Sequence, residues 1–405
     1  MTPFASGKLG GNSLSFLKPE CQTKVRWDLR RIRLIGTFRE FHLIAFAVLG
    51  LLAPISVAVA DDGVFAETTR VAREQGNTGL AAVLMQNGIV RSEEYLGLAI
   101  VEESVPVSAQ TRFQVMSVTK AFVGAALIKS ASAGVVDLDV PIQAYLPDYP
   151  RPESGEITLR NLAAHTAGIP HLGHPGRRAV YVEHYSDASS ALAEFRELPL
   201  LHNPGEAYEY SSSGYNLIAA VLEAAHGKPF QEVLRELVLT PLELDDTAVG
   251  DVLRPTRNLA RSYSFVDIWT YQPLEVLQQV PTWDFSYNPG GGNLITTARD
   301  LAKFGDAFTA PGFFTEAELA LIFARISPEL SPWSFGWFVN EDGDGNATIN
   351  ISGATPGVQA ALIVDPRNRI SMAVLSNCWG KGSGGGDLVV GAPRRDLEAW
   401  LRARQ

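Results

Sequence analysis

The sequence Met116-Ser117-Val118-Thr119-Lys120 is followed by a run without polar side chains, residues 121–128. This pattern predicts a helix that begins near Ser117, in which residues three apart lie on one face. We therefore expect Ser117 and Lys120 to face the same cavity. The first turn of a helix also presents free backbone N–H groups and the positive end of the helix dipole. A hydroxyl at that position lies beside donors that stabilise an oxyanion.

Lys120 has an apolar surrounding on the predicted helix, and desolvation lowers the pKa of a buried ammonium. A neutral Lys120 amine can accept the hydroxyl proton of Ser117, which activates the serine without a histidine. The alternative is structural: Ser117 caps the helix, and Lys120 lies exposed on its surface. These residues alone leave both interpretations open.

Two further stretches carry residues suited to the same chemistry. Tyr210 precedes an apolar helix, and a nearby ammonium would lower the pKa of its phenol from about 10, so that it serves as a phenolate base or a proton relay. Residues 351–357 lie on a predicted strand near the chain end, and their glycines would let a ligand approach the backbone closely. An edge strand also offers N–H groups to an oxyanion hole. Each stretch also has a structural interpretation, as a capped helix start with buried aromatic rings and as a strand before a Pro-Gly turn.

Strand patterns lie near both ends of the chain and helix patterns in the middle. The predicted strands are residues 79–84, 89–100, 334–339, 348–352, 358–364 and 370–375. This order predicts an α+β fold with an antiparallel β-sheet flanked by helices. We expect the sheet to use residues of about 65–150 and 330–405, and a mainly helical domain to be inserted at about 151–329.

Residues 43–60 form an uncharged apolar run that follows a basic stretch and ends in Ala58-Val59-Ala60. This is typical of a secretory signal peptide, and the alternative is an uncleaved membrane anchor. We therefore predict that residues 1–60 are a signal peptide or N-terminal anchor and that residues 61–405 are exported, either periplasmic or secreted. Contact with a membrane is expected only through an uncleaved anchor.

The formal net charge is −10 at pH 7, and no basic cluster follows the first forty residues. Such a charge excludes nucleic acid as an expected partner. Removal of the N-terminal segment would remove Cys21 and leave Cys378 alone, so we expect no internal disulfide.

A metal site is one alternative to serine chemistry. Several histidines lie between the two predicted sheet regions: His165, His171, His174, His184 and His202. The spacing of His171 and His174 suits metal ligands, but neither an H-E-x-x-H motif nor a cysteine pair accompanies it. We expect no metal and no cofactor. The absence of a G-x-S-x-G motif also excludes an α/β-hydrolase.

Five segments in the same order resemble motifs of the serine β-lactamase-like superfamily, which includes class C β-lactamases, DD-peptidases, D-aminopeptidases and class VIII esterases. The resemblance extends from about residue 65 to the end of the chain. The segments are Ser117-Val118-Thr119-Lys120, residues 161–170, Tyr210-Ser211-Ser212-Ser213-Gly214-Tyr215, residues 290–301 and Ile351-Ser352-Gly353.

The resemblance implies that Ser117 is the acylated nucleophile and that Lys120 and Tyr210 form the base and proton relay. It also implies an oxyanion hole made of the backbone N–H groups of Ser117 and Ala354. The reaction would pass through an acyl-enzyme, which water or another acceptor resolves. The implied substrate-binding positions are Ser212, Ile351, Ser352 and Gly353.

Two of these positions depart from the family pattern. Ser212 stands where many members have asparagine, and Ile351 stands where a lysine or histidine is usual. Isoleucine has no charge to pair with the carboxylate of penicillins or D-Ala-D-Ala peptides, and loss of such a charge-assisted bond costs about 1.5–3 kcal/mol. We therefore predict a serine esterase or amidase for small neutral acyl substrates.

The expected partner is a small-molecule ester, amide or peptide. Two alternatives to the esterase or amidase prediction are a DD-peptidase or β-lactamase acting on peptidoglycan-like substrates and a catalytically weak protein that binds a ligand or peptidoglycan. The departures at Ser212 and Ile351 favour the binding protein, whereas the presence of Ser117, Lys120 and Tyr210 together favours catalysis.

Overall fold

The computed structural model describes residues 63–171, 183–343, 345–382 and 386–404. In these ranges the α-helices are α1 (Ala66–Glu74), α2 (Thr119–Ser132), α3 (Leu159–Ala163), α4 (Ala188–Ala191), α5 (Ser212–His226), α6 (Phe230–Leu234), α7 (Ala298–Asp306), α8 (Glu316–Phe323) and α9 (Ala392–Arg402). The strands are β1 (Gly79–Gln86), β2 (Ile89–Ile100), β3 (Val105–Pro106), β4 (Phe113–Gln114), β5 (Ala248–Val249), β6 (Tyr263–Val266), β7 (Pro273–Gln279), β8 (Leu294–Thr296), β9 (Trp333–Ser334), β10 (Trp337–Glu341), β11 (Ala347–Thr355), β12 (Val358–Asp365), β13 (Ile370–Ser376) and β14 (Cys378–Trp379).

Strands from the two ends of the chain pair at the centre of one eight-stranded sheet. Its order is β3-β2-β1-β13-β12-β11-β10-β9. The pairing of β1 with β13 is antiparallel and places Leu80 opposite Ser376. The α+β fold with an antiparallel sheet flanked by helices is therefore confirmed.

Side chains of β1 are buried on both faces of the sheet. Leu80 and Ala82 belong to a cluster with residues of α1 and α9. Ala81 and Val83 belong to the larger core, which includes residues of α2, α5 and α7. Because successive side chains of a strand point to opposite faces, this alternation requires helices on both sides of the sheet. The predicted site lies on the side of the larger core.

The hairpin between β1 and β2 has the predicted turn. Asn87 and Gly88 both have positive φ angles, 55° and 73°. Two consecutive positive φ angles are typical of the two-residue turn that matches the twist of a hairpin, and Asn-Gly is the favoured pair. The residue types at these two positions are therefore sufficient to predict this turn.

The middle of the chain contains strands that the sequence analysis did not predict. Two three-stranded sheets, β14-β6-β7 and β4-β8-β5, use them. Most of these strands are only two to four residues long, so they lack the alternation that predicts a strand. In β4, Gln114 pairs with Ile295 of β8, and Val115 donates a backbone hydrogen bond to Leu294. These contacts join the segment before Ser117 to the segment after residues 290–293.

The predicted signal peptide or anchor, residues 1–60, lies outside the described residues, as does His174. Of the helices that the structure describes, none is both long and apolar enough to cross a membrane. The described residues belong to one compact unit, Ala58–Gln405.

Candidate active site

Ser117 lies in a short 3-10 turn, Met116–Val118, that continues directly into α2. Met116 has a φ angle of 45°, which is uncommon for a residue with a side chain. This conformation occurs at the position immediately before the predicted nucleophile. Ser117 is partly exposed between the buried neighbours Met116 and Val118. The turn therefore presents the Ser117 hydroxyl to the cleft while the rest of the segment is packed.

Lys120 is fully buried, and its Nζ makes three hydrogen bonds. The partners are Ser117 Oγ at 3.0 Å, Ser212 Oγ at 2.9 Å and the carbonyl oxygen of Gly291 at 2.6 Å. Burial holds the pKa of Lys120 well below its ordinary value. The alternative of an exposed surface lysine is therefore wrong, and the predicted direction of the pKa shift is confirmed.

Tyr210 donates a hydrogen bond from its hydroxyl to Ser117 Oγ at 2.7 Å. Burial raises the pKa of Tyr210 to about 12, and hydrogen bonds with Ser117 and Ser212 oppose this only in part. The prediction that a neighbouring ammonium lowers this pKa is wrong. Lys120 Nζ lies 5.0 Å from the centre of the Tyr210 ring, but burial favours the neutral amine, which supplies no positive charge. The structure thus disfavours a phenolate base and keeps a phenol that holds its proton.

Ser212 is the first residue of α5 and contacts Lys120 directly. Its Oγ accepts the 2.9 Å hydrogen bond from Lys120 Nζ, so the serine still supplies one polar contact where many family members have asparagine. One turn later, Asn216 is almost completely buried. Asn216 Oδ1 accepts hydrogen bonds from the N–H groups of Gly290 and Gly291, at 3.1 and 3.0 Å.

The sequence analysis missed the roles of Asn216 and Gly291. Asn216 holds the backbone of the glycine segment, and the carbonyl of Gly291 then accepts from Lys120. The signal that could have found Asn216 is its spacing of four from Ser212, because residues four apart share a helix face. Nothing local indicates which carbonyl of the glycine segment faces Lys120.

Two of the histidines considered as metal ligands support the segment that carries Tyr210. His165 Nδ1 accepts a hydrogen bond from the N–H of Ser211 at 3.1 Å, and its ring centre lies 4.6 Å from that of Tyr210. His171 Nδ1 accepts a hydrogen bond from the N–H of Ser212 at 3.0 Å. Burial also holds the pKa of His165 well below its ordinary value.

The other described histidines lie elsewhere. His184 Nδ1 is 2.8 Å from Asp284 Oδ2, and His202 is paired with a backbone oxygen of Asn203. Within the parts of the chain that the structure describes, no three His, Cys, Asp or Glu side chains are grouped as a metal site would require.

The predicted oxyanion strand, β11, is an interior strand and not an edge strand. Its pairing with β12 runs along its length to Thr355 and Val358, but its ladder with β10 ends at Asn350 and Phe338. The end of β11 is therefore free of β10 and lies against the Ser117 turn instead. The prediction of an edge strand is wrong for the strand as a whole.

Gly353 shows how closely β11 approaches the nucleophile. A Cβ added to Gly353 would lie 2.1 Å from the carbonyl oxygen of Val115 and 2.7 Å from the N atom of Ser117. Only glycine permits this approach. Ala354 is the next residue and is exposed. Because Gly353 lies against the Ser117 turn, the segment that carries the Ala354 N–H group lies beside Ser117.

Ile351 is buried in the larger core with 2% of its surface exposed. It pairs with Leu362 of β12. Ser352 alternates to the other side of the strand and is half-buried. The site thus brings Lys120, Tyr210 and Ser212 together near the Ser117 hydroxyl. The apolar side chain of Ile351 stands at the position where the family usually has a cation.

The Beta-lactamase family model matches residues 62–390 of this chain. The mitochondrial serine beta-lactamase-like protein LACTB of Homo sapiens is 26% identical over 329 residues, and the match covers 64% of this chain and 59% of that protein. The chain therefore spans less than two thirds of the length of the curated relatives it matches first.

Solved structures share the fold. The D-amino acid amidase from Ochrobactrum anthropi SV3, complexed with L-phenylalanine, has a TM-score of 0.72 at 22% identity, and the match covers 85% of this chain and 99% of that one. EstCE1, a hydrolase with promiscuous acyltransferase activity, has a TM-score of 0.68 at 22% identity, with 82% of this chain and 97% of that one covered. At these identities the likeness shows the fold alone.

Proposed function

This chain belongs to the Beta-lactamase family, and on that premise we propose that it is a serine hydrolase acting through an acyl-enzyme on Ser117. One observation carries the proposal. Ser117 Oγ lies within hydrogen-bond distance of both Lys120 Nζ, at 3.0 Å, and the Tyr210 hydroxyl, at 2.7 Å. A nucleophile held between a buried amine and a phenol has both partners that acyl transfer needs.

In the first step the neutral Lys120 amine accepts the Ser117 hydroxyl proton as Oγ attacks the substrate carbonyl carbon. The burial that lowers the pKa of Lys120 keeps its lone pair available. The carbonyl oxygen becomes an oxyanion, to which the N–H groups of Ser117 and Ala354 donate hydrogen bonds. A covalent bond between Oγ and the carbonyl carbon replaces the carbonyl π bond.

In the second step Tyr210 protonates the leaving alcohol or amine as the tetrahedral intermediate collapses. Its pKa of about 12 means that the phenol holds this proton at neutral pH. The proton taken by Lys120 then returns to Tyr210 across the Ser212 hydroxyl, which hydrogen bonds to both groups, because Ser117 Oγ is now an ester oxygen without a proton. Water then attacks the acyl carbon as Lys120 accepts one of its protons. The bond from that carbon to Ser117 Oγ breaks as Tyr210 protonates Oγ, and the acid is released.

The substrates are small neutral esters or amides. Ile351 has no charge and is buried, so the family's usual partner for a substrate carboxylate is replaced by apolar packing. A carboxylate brought against it would lose water without gaining a charged partner. The amidase and hydrolase named among the structural relatives are consistent with hydrolysis of an acyl group.

The test compares p-nitrophenyl butyrate with nitrocefin, using the wild-type protein, Ser117→Ala and the surface control Ser154→Ala. We expect hydrolysis of the ester that Ser117→Ala abolishes and Ser154→Ala retains, with little hydrolysis of nitrocefin. Turnover of nitrocefin at a comparable rate would contradict the argument from Ile351 and favour the β-lactamase alternative.

A labelled fluorophosphonate addresses the non-enzymatic alternative. It should label the wild-type protein and Ser154→Ala at Ser117, and it should not label Ser117→Ala. Absence of labelling together with absence of ester hydrolysis would refute the hydrolase proposal and favour a binding protein.

A further inference from the structure

A second cavity adjoins the glycine segment, residues 290–292. Its volume is about 510 Å³, which is within the range of small-molecule sites. Its lining includes Ser286, Pro289 and Asn293, but none of the residues that contact the Ser117 hydroxyl. The second cavity is therefore distinct from the cleft in which Ser117 lies.

Two buried polar side chains in the wall of the second cavity have unused hydrogen-bonding capacity. Ser286 and Asn293 are only 9% and 6% exposed. Ser286 Oγ accepts from the N–H of Tyr185 at 2.8 Å, and its hydroxyl hydrogen has no acceptor among the described residues. Asn293 Nδ2 donates to the carbonyl of Gly250 at 2.9 Å, whereas Oδ1 accepts from no group in the described part of the chain. Buried polar groups nearly always have a partner, so this donor and this acceptor point to a polar ligand.

Half of the charged side chains in the described lining already have a partner. Asp251 and Arg254 form an ion pair at 3.1 Å. Asp187 is the N-cap of α4, and its Oδ1 accepts from the N–H of Ser190 at 2.7 Å. These three side chains therefore need no ligand to neutralise or satisfy them.

The other three charged side chains of the described lining are Glu232, Arg235 and Asp245. None of them forms an ion pair with a described residue. Glu232 and Arg235 lie three residues apart on α6 and the turn that continues it, so they share a face. The second cavity thus offers one guanidinium and two carboxylates to a ligand, beside the buried apolar side chains of Leu239 and Leu244.

Asn293 connects the second cavity to Lys120. The carbonyl of Gly291, two residues earlier, accepts from Lys120 Nζ at 2.6 Å. The N–H of Leu294, one residue later, donates to Thr119 Oγ1 at 3.1 Å. A ligand held by Asn293 would therefore restrain the backbone that contacts the base assigned to Ser117.

We propose that the second cavity binds an amino acid with a second ammonium group, of which lysine is the simplest probe. Its carboxylate pairs with Arg235 and accepts the hydrogen bond of Ser286. Its two ammonium groups pair with Glu232 and Asp245, and one of them also donates to Asn293 Oδ1. Such a ligand gives every unpaired group of the described lining a partner. The proposal goes beyond the proposed function, because binding requires no hydrolysis.

The test is calorimetric titration of the full chain with each enantiomer of lysine. Norleucine, without the second ammonium group, and cadaverine, without the carboxylate, are the comparison ligands. Arg235→Gln and Asp245→Asn each remove one charge from the second cavity. The matched controls are Arg91→Gln and Asp148→Asn, at exposed residues that do not line it. Thermal unfolding of each variant establishes that it is folded.

We expect the tighter enantiomer of lysine to bind each cavity variant at least about tenfold more weakly than wild type, because each variant loses a charge-assisted bond. The two control variants should bind it as wild type does. Norleucine and cadaverine should bind wild type at least about tenfold more weakly than lysine.

Three results would overturn the proposal: no binding of lysine to wild type, equal binding to wild type and both cavity variants, or norleucine binding as tightly as lysine. Failure of the hydrolase proposal gives a different result. Lysine binding with the expected losses in a protein that hydrolyses no ester would support the second cavity as a ligand site while refuting the proposed function.

Discussion

Replacing Lys120 by methionine should change how the stability of the protein depends on pH. The substitution keeps an unbranched side chain of similar length in the fully buried position but removes the titrating nitrogen. Because burial lowers the pKa of Lys120 in the folded protein, the folded state loses this proton at a lower pH than the unfolded chain, in which lysine has a pKa of about 10.4.

Between these two pKa values the unfolded state binds one more proton than the folded state. The free energy of unfolding therefore rises with pH there, by about 1.4 kcal/mol per pH unit. The cost of burying Lys120 is present at neutral pH and disappears as the pH approaches about 10.4. Below the folded pKa both states carry the proton, and the contribution no longer varies.

Loss of hydrogen bonds in Lys120→Met does not obscure this slope. The variant leaves Ser117 Oγ, Ser212 Oγ and the Gly291 carbonyl without the hydrogen-bond partner that they have in the wild type, at a net cost of about 0.5–1.5 kcal/mol each. That cost is the same at each pH at which these groups do not titrate. It shifts the difference between wild type and variant by a constant and leaves its slope unchanged.

The measurement is urea unfolding of wild type and Lys120→Met at half-unit intervals from pH 6 to pH 9. We expect the wild type to gain stability relative to the variant as the pH rises, with a slope that approaches 1.4 kcal/mol per unit. Lys228→Met, which removes an exposed ammonium paired with Glu236 at 2.7 Å, shows the effect of losing a surface lysine. If the difference in free energy of unfolding between wild type and Lys120→Met does not change with pH over the whole range, Lys120 is not a neutral amine. That result would also refute the role of Lys120 as the base that accepts the Ser117 proton.

Two further predictions concern the groups around Ser117. Tyr210→Phe removes the 2.7 Å hydrogen bond to Ser117 Oγ and should lower kcat/KM by roughly 10²-fold or more. Because the pKa of Tyr210 is about 12, the rise of kcat/KM with pH comes from deprotonation of Lys120 and should persist in this variant. Loss of that rise in Tyr210→Phe would assign it to the phenol instead. Gly353→Ala places a Cβ 2.1 Å from the Val115 carbonyl oxygen, so we expect a lower midpoint of thermal unfolding and a loss of roughly 10²-fold in esterase kcat/KM. Gly343→Ala, where a Cβ meets nothing within 4 Å, should leave both unchanged, and equal behaviour of the two glycine variants would contradict the close approach of β11.

The predicted features that the structure confirms are those with a local cause. The spacing of Ser117 and Lys120 follows from the helix repeat, and the turn at Asn87 and Gly88 follows from the backbone preferences of two residues. The antiparallel sheet was predictable because strand patterns occur at both ends of the chain. Each of these signals lies within one short segment, so the sequence contains it directly.

The features that were missed or wrong depend on contacts between distant segments. The carbonyl of Gly291 accepts from Lys120 across 171 positions of the sequence, and Asn216 sets the orientation of that carbonyl. The raised pKa of Tyr210 results from burial by several elements, and no neighbouring residue in the sequence indicates it. The interior position of β11 likewise depends on β10, whose pairing with it ends at Asn350.

By itself, then, the sequence determined which residues we propose for the chemistry: a serine and a lysine one helical turn apart and a tyrosine before a helix. Periodicity and residue type are sufficient to select these candidates, because each is a property of a short segment, and the resemblance to the family adds the isoleucine in place of a cation. Only the tertiary structure decided that Lys120 is desolvated, that Tyr210 keeps its proton and that the Gly291 carbonyl lies beside Lys120. The pKa of a group and the neighbours of a side chain depend on everything packed around it, and that packing exists only once the segments from both ends and the middle of the chain have come together.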